Sequence, residues 1–103
     1  MGLELLRRAV DRAEGVPTEL KETVKKLAWE ALSSATKCSP ETFLKVHYTL
    51  SAIERLYDEL LSPVAEMEPP RPDALDIIRS IGEGQRAFLT QIAEVYKACA
   101  RRK

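Results

Sequence analysis

The chain has 103 residues, is 31% charged and is formally neutral, with 16 basic and 16 acidic side chains. That length supports a single domain, residues 1–103, with its own hydrophobic core, and neutrality gives no net field towards nucleic acid, a membrane surface or an acidic substrate. No window approaches the roughly 20 apolar residues of a membrane-spanning helix, and the N-terminus lacks the basic start and apolar run of a signal peptide, so a soluble cytoplasmic protein with no membrane partner is expected.

Composition also points to a hot growth environment. There is no Asn, Gln occurs only at positions 85 and 91, and Glu outnumbers Asp twelve to four. Depletion of thermolabile amides and enrichment of charge are habits of thermophile proteins. The same bias bears on Cys38 and Cys99, since intracellular disulfides are rare in mesophiles and genuine in hyperthermophiles. The simpler expectation is two unpaired thiols, Cys99 on an apolar helix face and Cys38 in a turn.

Leu3, Leu6, Val10 and Ala13 space a first amphipathic helix over residues 3–14. Gly15 ends it, and Val16-Pro17 confirms the stop, because the residue before proline is pushed out of helical geometry. A competing pattern runs through Pro17 to Leu20, Val24, Leu27 and Ala31, which would make one bent helix. The second helix is predicted over 18–36, with small residues Ala28, Ala31 and Ala35 against a neighbour. Trp29 falls outside that face, among Glu22, Lys25, Lys26 and Ser33, where an indole either lies along the core edge or anchors a partner.

Ser39-Pro40-Glu41 reads as the start of a third helix over 40–62, with Phe43, Val46, Leu50, Ile53, Tyr57, Leu60 and Leu61 as its main stripe. Leu44 and Tyr48 form an offset pair, so a second contact side is expected. The linker 63–72 holds Pro63 and the proline run at 69, 70 and 72, which favours extended chain until Asp73.

The last helix, over 73–102, carries the strongest pattern. Ala74, Ile78, Ile81, Gln85, Phe88, Ile92, Val95 and Cys99 alternate by four and three, and Leu75, Gly82, Leu89 and Tyr96 recur every seventh residue beside them. Such breadth suits a helix touching more than one neighbour. The phase survives Gly82 and Gly84, so a continuous helix is expected, about 45 Å long, with the glycines permitting close approach. The fold expected is all-α: an antiparallel four-helix bundle with a long C-terminal helix, pairing as a homodimer along the last or third helix.

Catalytic patterns are sparse. His47 stands alone without a Glu three residues earlier, so a partly buried structural histidine is expected. Cys38, His47 and Cys99 would lack a fourth zinc ligand, and Gly82-Glu83-Gly84 lacks the lysine of a phosphate loop. No cofactor is expected. The leading expectation is a non-catalytic interaction or scaffold subunit with Trp29, Leu44 and Tyr48 contacting an unidentified protein partner. A second is a nucleic-acid accessory using Arg7, Arg8, Arg12, Arg101 and Arg102. A third, weakest, is a metal-dependent phosphate hydrolase using Glu54 and Asp58, four apart on one helix face.

Overall fold

The structure, a computed structural model, describes residues 1–69 and 71–101. Pro70 of the linker, Arg102 and Lys103 lie outside the described residues, and with them one of the arginines assigned to nucleic-acid contact. Four helices follow one another: α1 Gly2–Asp11, α2 Thr18–Thr36, α3 Thr42–Ala65 and α4 Ala74–Arg101, with no strand among the described residues. α1 packs chiefly on α4 and α2 chiefly on α3, with α2 also against α1 and α4; of the pairs in contact, α3 and α4 touch least. The result is an elongated body of 54 × 19 × 18 Å.

α1 stops at Asp11, three residues short of the sequence expectation. The amide of Ala13 bonds the Val10 carbonyl at 3.0 Å, tightening the last turn, and Gly15 then takes φ +84°, open to glycine at little cost. Asp11 binds Lys25 Nζ at 2.8 Å. Fourteen residues of continuous helix would separate them by about 21 Å, so the bent-rod alternative fails and α2 turns back beside α1. Val24, Ala28, Ala31 and Ala35 of α2 are all fully buried. Alanine there lets neighbouring backbones approach, as the sequence implied.

Both middle helices end the same way. After α2, the Cys38 amide donates to Ala35 O and the Ser39 amide to Ser34 O, both at 3.0 Å; after α3, Met67 donates to Val64 O and Glu68 to Pro63 O. This paired closure satisfies orphan carbonyls and forces a left-handed residue, here Cys38 (φ 59°) and Met67 (φ 64°) rather than glycine. α3 starts at Thr42, because Ser39 Oγ accepts the Glu41 amide and Ser39 O accepts the Thr42 amide one turn ahead of the helix proper. It also runs past its expected end at 62. Pro63 has no amide for the Glu59 carbonyl, and the Ser62 hydroxyl donates to that carbonyl instead at 3.1 Å.

α4 is continuous for 28 residues through both glycines. Gly84 explains why: a Cβ there would stand 2.7 Å from Leu6 Cα, so α1 crosses at backbone contact. Gly2 meets α4 more closely still, a Cβ there striking the Ala87 carbonyl. Gln91 then accepts the orphan Leu3 amide in the first turn of α1 at 2.7 Å. Phe88, Leu6, Ile53, Leu56 and Ile81 are the largest fully buried side chains, each contributing about 1.5–3 kcal/mol.

Cys38 and Cys99 form a disulfide, Cα to Cα 5.7 Å, which corrects the expectation of two unpaired thiols. The helix face and the turn were read correctly. What the sequence withheld was that the folded-back turn after α2 meets the end of α4. At the opposite end, Arg71 joins the two remaining connections. Its guanidinium donates to Asp73 at 2.7 and 3.0 Å and to the Glu14 carbonyl, tying the linker to the α1–α2 turn. The hydrogen bonds from Arg71 hold the Asp73 carboxyl below its usual range, so Asp73 serves this clamp.

Candidate functional site

The weak α3–α4 contact leaves a groove of about 600 Å³, lined by Cys38, Thr42, Phe43, Val46, Leu89, Ile92, Ala93, Tyr96, Lys97, Cys99 and Ala100. Its origin is helical geometry. On α3, Thr42, Thr49, Ile53, Leu56 and Leu60 point into the core, so Phe43, Leu50, Tyr57 and Leu61 fall on the flank facing α4. On α4, Ile81, Phe88, Ile92 and Cys99 are buried, which rotates Leu75, Gly82, Leu89 and Tyr96 to the flank facing α3.

Phe43 stands at the groove edge, its ring set edge-to-face on Tyr96 with centroids 5.2 Å apart, a contact worth about 0.5–1.5 kcal/mol beyond burial. It is nevertheless 68% exposed, a correction to its reading as a core stripe residue. Towards the other end Tyr57 closes the gap, its hydroxyl 3.8 Å from where a Cβ on Gly82 would stand. Burial pushes the Tyr57 phenol above its ordinary pKa. The groove floor is apolar: the Thr42 hydroxyl is turned away to donate to Ser39 O at 2.7 Å, and Lys97 is its single charged lining residue.

A second groove, about 780 Å³, lies where α1 begins, between Met1, Gly2, Leu5 and Arg8 and the Ala87–Val95 stretch of α4. Ten residues of α1 cannot cover twenty-eight of α4. The remaining hollows are polar: Arg55, Asp58 and Glu59 with Pro17, Glu19, Leu20 and Thr23, and a shallow one formed by Glu4, Arg7, Arg8 and Asp11.

The residues singled out from sequence are placed as follows. Trp29, Leu44 and Tyr48 are 58%, 55% and 49% exposed, and none lines these four hollows. Leu44 and Tyr48 share a face of α3, while Trp29 belongs to α2. His47 is exposed, with its ring tilted against Tyr48, rather than partly buried as expected. Arg8 pairs with Glu4 at 3.9 Å, Arg7 shares its hollow with Glu4 and Asp11, and Arg12 and Arg101 are exposed. Asp58 sits beside Arg55, and among the described residues no group of three or more His, Cys, Asp or Glu converges as a metal would require. Among the described residues no helix is long and apolar enough to cross a membrane.

The groove residues were present in the sequence pattern but assigned to the core. The one available signal was the second heptad row on α4, Leu75, Gly82, Leu89 and Tyr96, which asks for a neighbour beyond the one covering the first row. Fold and groove define an all-helical bundle with an apolar trough left open between α3 and α4. Compared with family models, curated proteins and solved structures, the chain matches none.

Proposed function

We propose that this protein is a non-catalytic interaction subunit, an antiparallel four-helix bundle that pairs with a second copy of itself and offers its outer surface to a protein partner. The carrying observation is the α3–α4 groove. It is an apolar trough bordered by an exposed Phe, a surface that a covering chain would bury. Phe43 against Tyr96 and Tyr57 against Gly82 support the antiparallel reading, since early residues of α3 meet late residues of α4. Trp29, Leu44 and Tyr48 are exposed and available to a different partner.

A thermophile cytoplasm is the setting this reading favours. A disulfide joining residues 61 apart suits a hot intracellular environment, as do the missing Asn and the abundance of Glu. Pairing makes stability depend on concentration, because association stabilises only the folded chain. Calorimetry at about 10 and about 500 μM is expected to show a Tm that rises with concentration. A constant Tm would remove the self-pairing reading.

A further inference from the structure

The groove is lined by apolar residues and Lys97, and the exposed lips above it differ in sign. The helical positions that put Phe43 and Tyr57 on the groove flank of α3 put Glu54 on its outer lip, and those that put Leu89 and Tyr96 on the flank of α4 put Arg86 and Lys97 on the other. All three charges are exposed, and among the described residues none makes an ion pair within the chain.

The contacts Phe43–Tyr96 and Tyr57–Gly82 both sum to 139, which fixes the register along the groove. Glu54 is therefore level with Gln85, beside Arg86. Under a two-fold axis running along the groove, α3 of one chain lies over α4 of the other at that same level, so every acid-to-base pairing occurs twice. We propose that two copies join across this face, each seating its Phe43 in the groove of the other and setting its Glu54 against the other's Arg86. This rests on the self-pairing reading above and names the surface that carries it.

Charge points to a second copy as the occupant. A formally neutral chain meets its twin without net repulsion, and lips of opposite sign, Glu54 on α3 and Arg86 with Lys97 on α4, are what an isologous contact needs.

Sedimentation equilibrium on the full chain tests it. The wild type is expected at twice 11.6 kDa. Phe43→Asp and Glu54→Arg are each expected to raise the dissociation constant about tenfold or more, and the double variant Glu54→Arg/Arg86→Glu to recover wild-type association with the signs exchanged. All three positions are exposed, so unchanged circular dichroism is expected throughout. A two-chain wild type whose Phe43→Asp and Glu54→Arg variants pair equally well overturns this surface while leaving self-pairing on another face. A double variant as weak as Glu54→Arg alone also overturns it. A wild type of single-chain mass overturns both readings.

Discussion

Gly84 sets how closely α1 and α4 approach, and a methyl group is enough to test it. Alanine would raise helix propensity by about 1 kcal/mol, yet its Cβ would strike the backbone at Leu6, so Gly84→Ala is expected to destabilise by about 1–3 kcal/mol in urea denaturation. Gly82 is the control. Its nearest neighbour would be the Tyr57 hydroxyl at ordinary contact, so Gly82→Ala is expected to be neutral or to stabilise by up to about 1 kcal/mol. Met67 offers the converse case, with φ 64° and 94% exposure. Relieving its left-handed strain, Met67→Gly is expected to raise Tm by a few degrees, equivalent to about 0.5–1 kcal/mol.

The pH profile also belongs to individual residues. Hydrogen bonds to Asp11 and Glu22 raise the Lys25 pKa, and burial raises that of Tyr57. A raised folded-state pKa gives stability present below the unfolded value and lost as pH rises through the folded one, so both groups weaken the fold above about pH 10. Asp73 is lowered by Arg71, and its contribution is lost as pH falls below about 4 through the lowered value. Denaturation midpoints across pH are expected to show a plateau between those limits, with Tyr57→Phe softening the alkaline fall. An unchanged alkaline limb would contradict the burial account of Tyr57.

At the scale of elements, helix identities were legible because periodicity is a local property. The four-three alternation through Ile81, Phe88 and Ile92 favoured a continuous α4 over one split at Gly82 and Gly84, and those three side chains are buried. Helix ends were less legible. Pro63 reads as a stop, but Ser62 satisfies the carbonyl that proline leaves open, and α3 continues to Ala65. The disulfide was hidden for a different reason: it depends on two segments 61 residues apart meeting, which no local pattern encodes. Closing a loop of that length stabilises by about 4 kcal/mol in the chain-entropy account. Reduction, or Cys38→Ser with Cys99→Ala, is expected to lower Tm by roughly 20 °C, read by thermal melts with and without dithiol. A shift of only a degree or two would mean that the bridge is redundant with the packing of α4.

For the whole molecule, the sequence implied that α4 needed more than one neighbour without saying which side would stay open. That depends on how three short helices distribute around one long one. α1 spends its ten residues on the backbone crossing at Gly84, and α2 on alanine contacts. α3 is left splayed from α4 with Phe43 at the lip. Trp29, Leu44 and Tyr48 stood out because they are large and off-pattern, whereas Phe43 matched the core stripe and so drew no notice. The central claim is that this open face is closed by a twin. Light-scattering mass at about 100 μM, measured on wild type and Phe43→Asp side by side, tests it most directly. The account predicts twice 11.6 kDa for the first and a shift towards 11.6 kDa for the second; equal masses for the two proteins, whether one chain or two, would contradict it.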